Sequence, residues 1–155
     1  MIIRRAVAED ISRLSDLLSQ VLDVHHNGRP DIFKANAVKY LPEELDEIIQ
    51  DDTRPIFVAE TDGVVVGYAF CIMTQHIDNN ILTDIKTLYI DDLCIDENCR
   101  GKGVGKAIYK YVESYARAEG CYNVTLNVWA LNDNAIGFYE ALGLKVQKIG
   151  MEQIL

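Results

Sequence analysis

The stretch LCIDENCRGKGVGKAIYKYVESYARAEG, residues 93–120, runs from an apolar strand through a glycine-rich turn into a long amphipathic helix. The turn itself, RGKGVGK at residues 100–106, contains three glycines and three cations. Glycines allow backbone N–H groups to close on an anion, and the helix behind them presents the positive end of its dipole. A strand, turn and helix of this composition predict a phosphate-binding site.

Two common phosphate motifs do not fit the turn. The P-loop spacing puts Arg100 where the first glycine belongs and Ala107 where a serine or threonine should bind magnesium. The dinucleotide fingerprint fails because its last glycine would be Lys106 or Ile108, depending on where it starts. Neither nucleoside triphosphate binding nor nicotinamide binding is supported.

Composition predicts one soluble globular domain over residues 1–155, with 49% hydrophobic and 25% charged residues. The N-terminus lacks the apolar run of a secretory signal, and no segment approaches the roughly 20 apolar residues of a membrane span. The four cysteines form no CxxC pair. We therefore expect reduced thiols in a cytoplasmic protein, and no metal site.

Charge is distributed unevenly along the chain. The net charge is −9, which argues against general nucleic-acid binding. Residues 100–110 carry four cations and no acid, so the other 144 residues hold 11 cations against all 24 acids. A locally positive turn on an acidic body suits an anionic cofactor beside a cationic substrate, although acidity also keeps a protein soluble.

The order of elements is predicted to be β-α-α-β-β-β-α-β-α-β-β. Strands that follow one another early and alternate with helices late indicate an α/β (α+β) fold with a mixed, mostly antiparallel sheet flanked by helices. The second helix is predicted from Phe33 or Lys34 to about Gln50, with a kink at Pro42. NVTLNVW at residues 123–129 is predicted as a strand, and LKVQKI and MEQIL as two final strands.

The strand before the turn changes phase. Leu88 and Ile90 occupy even positions whereas Leu93 and Ile95 occupy odd ones, and a regular strand would place these pairs on opposite faces. One extra residue at Asp91-Asp92 would return them to one face, which predicts a β-bulge there. A strand buried on both faces is the alternative.

The pattern R-x-x-G-x-G, formed by Arg100, Gly103 and Gly105, resembles the GNAT superfamily of acetyl-CoA-dependent N-acetyltransferases. The later segment NDNAIGFYEALGLK resembles that family's closing motif, and the two motifs come in the family's order with one strand between them. Its matching residues are Asn132, Ala135, Phe138, Tyr139 and Gly143. The resemblance covers nearly the whole chain and implies a GNAT-like fold with acetyl-CoA as cofactor.

The resemblance also implies roles for individual residues. The backbone of Leu93, Cys94 and Ile95 would face the thioester, and Asn132 would hold the pantetheine or phosphate region. The turn would wrap the pyrophosphate; its residues are Arg100, Gly101, Lys102, Gly103, Val104, Gly105 and Lys106. Tyr139 would give a proton to the leaving thiolate, although an aromatic residue on this apolar stripe also fits a packing role.

The general base and the acceptor site are less constrained. Base candidates are Asp91, Asp92, Glu60, His25, His26 and His76, among which Asp92 is preferred because it lies at the proposed bulge. The acceptor is predicted to meet the segment after the first helix and Trp129, with a surface loop as the alternative. Its predicted contacts are His25, Asp31, Phe33 and Trp129.

The leading hypothesis is therefore an N-acetyltransferase that joins acetyl-CoA and a small-molecule or peptide amine in one ternary complex. Holding both reactants in one cleft removes much of the barrier without a covalent enzyme intermediate. A non-catalytic acyl-CoA sensor of the same fold and an interaction protein whose turn binds nothing are the alternatives. A homodimer is compatible with the late strands, and we expect no nucleic-acid or membrane partner.

Overall fold

The computed structural model describes residues 1–155. Four helices flank a single five-stranded sheet. The strands are β1 (Ile2–Arg5), β2 (Ile56–Thr61), β3 (Val64–Gln75), β4 (Lys86–Ile95) and β5 (Asn123–Leu126). The helices are α1 (Ile11–Gly28), α2 (Pro42–Gln50), α3 (Val104–Ala118) and α4 (Asp133–Ala141). No helix combines the length and the apolar character that a membrane crossing requires.

The sheet has the order β1-β2-β3-β4-β5, with three antiparallel pairs and a parallel pair between β4 and β5. The expected mixed, mostly antiparallel sheet is thus confirmed. Each face of the sheet has its own core. Leu14 of α1 and Leu45 of α2 lie in one, called the α1–α2 core, whereas Ile108 and Val112 of α3 lie in the other, called the α3 core.

The predicted bulge in β4 is present. Phe70 of β3 lies opposite Asp92 and Cys71 lies opposite Ile90, so Asp91 is the extra residue without a partner. The residues that change phase in the sequence all contact the α3 core: Leu88, Ile90, Leu93 and Ile95. Asp92 is buried at the other face. The bulge therefore turns two neighbouring carboxyl groups away from α3.

The ladder between β4 and β5 stops at the bulge. Pairing covers Thr87–Ile90 of β4 and Asn123–Leu126 of β5, so the predicted strand NVTLNVW ends three residues early. The backbone N–H of Asp96 donates to the carbonyl of Val66 on β3. Because successive residues of a strand direct their N–H groups to opposite sides, the amide of Cys94, two residues earlier, also faces β3. The amides of Leu93 and Ile95 therefore point to the side where β5 has ended.

The second helix is shorter than predicted. It begins at Pro42, which occupies its first turn, and the residues after Gly28 form an irregular segment instead of a kinked helix. Proline has no backbone N–H to donate, and it favours an extended conformation in the residue before it, as seen for Leu41 with ψ of 158°. Pro42 is therefore suited to the first position of a helix and not to its interior. The backbone N–H of Leu41 donates to the carboxylate of Glu44 at 2.7 Å.

The two final strands predicted at LKVQKI and MEQIL do not form, because residues 144–155 pair with no other strand. Alternation of apolar residues fixes which side chains would share a face but supplies no hydrogen-bonding partner. Apolar side chains of this tail, such as Val146 and Ile149, are exposed. Leu144 at the start of this tail packs against the α3 core, and farther along Glu152 forms an ion pair with Arg29.

Candidate active site

The glycine-rich turn leaves its backbone amides free. Gly101 and Gly103 have φ of 73° and 81°, a left-handed conformation that side chains other than glycine's adopt at a cost. The N–H groups of residues 100–106 donate to no backbone or side-chain acceptor, and the first hydrogen bond of α3 runs from Ala107 to the carbonyl of Gly103. The start of this 15-residue helix therefore carries seven unpaired N–H donors, an arrangement typical of sites that bind anions.

Gly105 is a glycine for a packing reason. A Cβ at this position would lie 3.2 Å from the ring of Phe138 and 3.6 Å from Ile95. The missing side chain thus lets α4 pack directly on the first turn of α3. The closing motif and the turn, which lie about 30 residues apart in sequence, form one unit here.

Side chains of the turn are oriented by local contacts. Nε of Arg100 donates to the carbonyl of Ile95 at 3.2 Å, and Nζ of Lys102 donates to the carbonyl of Asn98 at 2.9 Å. The side chain of Lys106 is exposed and has no protein partner. All three cations therefore remain on the solvent side of the turn, beside the free amides.

Asp96 anchors the turn to α1, a role that the sequence analysis did not assign. Its carboxylate accepts from the backbone N–H of Asn98 at 2.9 Å and forms a salt bridge with Arg13. The Arg13 hydrogen bond and the Asn98 amide lower the pKa of Asp96 to about 2. An aspartate two residues before a turn amide is a recognisable turn signal, but its partner on α1 lies 83 residues away.

The bulge gathers a polar cluster on the α1–α2 side of the sheet. Nζ of Lys39 lies 2.9 Å from Oδ2 of Asp91 and 3.3 Å from Oδ2 of Asp92. The hydroxyl of Tyr68 donates to the same oxygen of Asp92 at 3.3 Å. Because the bulge directs consecutive residues to one side, a single ammonium group bridges both carboxylates.

Burial and charge act on Asp92 in opposite directions. Its side chain is only 7% exposed, and this burial raises its pKa, while the positive charge of Lys39 opposes the rise. The pKa of Lys39 is raised: burial disfavours its charge, but the two carboxylates outweigh that cost. The pKa of the Tyr68 hydroxyl is raised well above its usual value by burial and by Asp92, so this hydroxyl stays a donor.

Tyr139 lies on α4, and its ionisation is influenced by the charge of Asp92. Burial raises the pKa of Tyr139, and the negative charge of Asp92 raises it further. Its ring packs edge-on against Phe138 at 5.0 Å, but its hydroxyl has no protein hydrogen bond. Asn132 caps α4 by accepting from the amide of Ala135 at 3.1 Å, which leaves its side-chain NH₂ free to donate.

The predicted acceptor residues lie around one shallow cavity of about 130 Å³. His25, Phe33 and Trp129 line it, with ring centroids 5.0 Å apart for the first two and 5.4 Å for the last two. Asp31 does not line the cavity but forms a salt bridge with Arg29, which does. The charge of His25 opposes the rise in the pKa of Asp92, which puts this lining residue within electrostatic range of that carboxyl.

The other candidates for the base are engaged elsewhere or exposed. Glu60 forms a salt bridge with Arg4, and His26 bonds the carbonyl of Phe33 through Nδ1 at 2.7 Å. His76 is exposed just beyond the end of β3. Cys94 is buried, and this burial raises the pKa of its thiol to about 12. Its backbone amide faces β3, so among Leu93, Cys94 and Ile95, the three residues expected to face the thioester, Cys94 points away from that side. No group of three or more histidine, cysteine or acidic side chains is placed to hold a metal ion.

Comparison with known proteins identifies this arrangement. The family model of the acetyltransferase (GNAT) family matches residues 22–144. The peptidyl-lysine N-acetyltransferase YjaB of Salmonella typhimurium is 30% identical over 147 residues, covering 93% of this chain and 83% of that protein. A mutant of the BH1408 protein from Bacillus halodurans is 33% identical with a TM-score of 0.95, covering 100% of this chain and 99% of the other.

A more distant likeness concerns the fold alone. The aminoglycoside N-acetyltransferase AAC(6')-Iy, solved in complex with CoA, is 19% identical with a TM-score of 0.73, covering 99% of this chain and 98% of its own. The resemblance drawn from the turn and the closing motif is thus confirmed, and so is the fold class. The chain belongs to the acetyltransferase (GNAT) family, which uses acetyl-CoA, and it is an acyltransferase enzyme.

Proposed function

We propose that residues 1–155 form one N-acetyltransferase domain that moves an acetyl group from acetyl-CoA to a primary amine by direct attack in a ternary complex. The observation that carries this proposal is the row of unpaired amides at residues 100–106, which matches the anionic diphosphate of that cofactor. When bound, acetyl-CoA supplies the acetyl thioester. Arg100, Lys106 and the free NH₂ of Asn132 are proposed to donate further hydrogen bonds to this cofactor.

Asp92 is proposed to accept the proton of the attacking amine. An alkylammonium group has a pKa of roughly 10.4, so an acceptor for its proton lowers the cost of attack at neutral pH. Burial raises the pKa of Asp92, which makes its carboxylate a stronger base, while the positive charge of Lys39 favours the ionised form. Asp91 remains paired with Lys39 after Asp92 takes the proton, so the ammonium group is never left without a partner.

Tyr139 is proposed to donate its proton to the departing sulfur and to regain one from the second proton that the attacking nitrogen loses as the amide forms. While Asp92 is ionised, its charge holds the pKa of Tyr139 up and keeps the phenol protonated. Once Asp92 has taken the amine proton, that charge is gone and Tyr139 becomes a stronger acid. This electrostatic coupling is proposed to make the acid more effective at the stage when the C–S bond breaks.

The amides of Leu93 and Ile95 are proposed to stabilise the negative charge that develops on the acetyl oxygen. Both point to the side where β5 has ended, so no ladder partner competes for them. Donors fixed in a strand need no reorganisation as the charge develops, which is the source of their effect.

Release of free thiol tests the proposed function directly. Purified protein mixed with acetyl-CoA and a panel of primary amines is expected to release CoA thiol only when an accepted amine is present. CoA binding without turnover on any amine would support the sensor instead. Failure of acetyl-CoA to raise the melting temperature would point to a turn that binds nothing.

A further inference from the structure

Arg29, the residue after α1, holds two carboxylates at once. Its Nε and one terminal nitrogen donate to Asp31 at 2.9 and 2.7 Å. The free end of the same guanidinium faces Glu152, with one nitrogen on each carboxylate oxygen. Asp31 thus orients the guanidinium from the side, and the outer pair of N–H groups receives a second carboxylate in the two-point geometry that arginine favours.

This guanidinium forms part of the wall of the acceptor cavity. Its central carbon lies 6.0 Å from the ring centroid of Trp129, and its side chain is 18% exposed. The apolar lining residues are Val24, Phe33, Trp129 and Leu131, and the remaining ones are His25, Gly28 and Asn132. No carboxylate lines the cavity, and the nearby acids Asp31, Asp91 and Asp92 already have cationic partners. The cavity therefore presents a cation and apolar surface to an acceptor.

Glu152 is the less firmly held of the two carboxylates. It belongs to the tail without regular structure, and its neighbour Met151 is 94% exposed. Exposed ion pairs contribute little to stability, so exchange of one carboxylate for another costs little. Asp31, two residues from Arg29 in sequence, keeps the guanidinium in place during such an exchange.

We propose that the acceptor is an amine that also carries a carboxylate, and that this carboxylate replaces Glu152 on Arg29. The apolar walls receive the carbon skeleton, and the amine extends toward Asp92 past His25. The inference rests on the proposed function and makes it more specific: Arg29 recognises the acceptor rather than the cofactor.

The test compares each amino acid with the amine that remains after its decarboxylation. Suitable pairs are γ-aminobutyrate with propylamine, phenylalanine with phenethylamine, and lysine with cadaverine, which vary the distance from amine to carboxylate. At least one amino acid is expected to exceed its decarboxylated partner by about 10- to 100-fold in kcat/KM, the range of a charge-assisted hydrogen-bond pair. Equal rates within every pair would overturn the inference while leaving N-acetyl transfer itself intact.

Two variants are expected to act in opposite directions on the preferred amino acid. Arg29→Gln should raise its KM about 10-fold or more and remove the preference over the decarboxylated amine. Glu152→Gln should lower that KM by about 2- to 5-fold, because the competing carboxylate is gone. Arg117→Gln is the matched control, since Arg117 pairs only with Glu113 on the exposed face of α3.

Three results would contradict these proposals. An Arg29→Gln protein whose KM rises for acetyl-CoA rather than for the amino acid would assign the guanidinium to the cofactor. A higher KM in Glu152→Gln would make Glu152 part of the binding site rather than a competitor. Absence of thiol release with every amine, from wild-type protein, would instead count against the proposed function.

Discussion

Tyr139→Phe is expected to lower kcat by about 10²-fold or more, the usual contribution of a general acid, while the KM for acetyl-CoA changes little. The substitution removes only a hydroxyl that has no protein hydrogen bond, so the packing of its ring on Phe138 should be retained. Because burial and Asp92 both raise the pKa of Tyr139, the phenol is fully protonated at neutral pH and available as a donor.

Steady-state kinetics with acetyl-CoA varied at a saturating amine concentration provide the measurement. Tyr122→Phe is the control, since Tyr122 is 74% exposed and removal of its hydroxyl should leave kcat unchanged. A loss of cofactor affinity equal to the loss of turnover would show instead that Tyr139 is a packing residue.

Lys39→Met is expected to move the acidic limb of the kcat/KM profile to higher pH. Asp92 acts as a base only when ionised, so activity falls as the pH drops through its pKa. Removing the ammonium 3.3 Å away raises that pKa further, because burial is then unopposed. Even at the dielectric constant of water, unit charges at this distance interact by about 1.3 kcal/mol, so the limb should shift by about one pH unit or more.

The profile should be measured for wild type, Lys39→Met and Lys39→Arg under the same conditions. Lys39→Arg retains the charge and should keep the limb near its wild-type position. The methionine variant should lose activity on the acidic side of the profile and recover most of it as the pH rises. An unshifted limb in Lys39→Met would mean either that Asp92 is not the base or that Lys39 does not control its ionisation.

The turn and the bulge could be predicted because each has a local signal. The R-x-x-G-x-G pattern includes Gly103, whose φ is positive in the structure. The change of phase between Ile90 and Leu93 reveals the bulge in the sequence. The position of Asp92 could be predicted as well, because Asp92 directly follows Asp91, the extra residue of the bulge. Positions set by hydrogen bonds within a few residues are encoded in short sequence patterns.

The partners of those residues could not be predicted in the same way. Lys39 lies in a segment predicted as helix. It contacts Asp91 and Asp92 because α2 begins only at Pro42, which leaves the residues before it in an irregular loop. The Arg29–Glu152 pair joins residues 123 positions apart, across a tail predicted as strand. Contacts of this kind depend on the tertiary fold, which no local periodicity specifies.

Calorimetric titration of CoA into wild-type protein and Gly103→Val tests most directly whether amides at residues 100–106 enclose the diphosphate. The wild type should bind one CoA per chain. The variant should bind at least about 10-fold more weakly, because a β-branched residue at φ 81° distorts the turn at a cost of about 1–3 kcal/mol. Absence of binding heat in the wild type, or equal affinity in two folded proteins, would contradict the account.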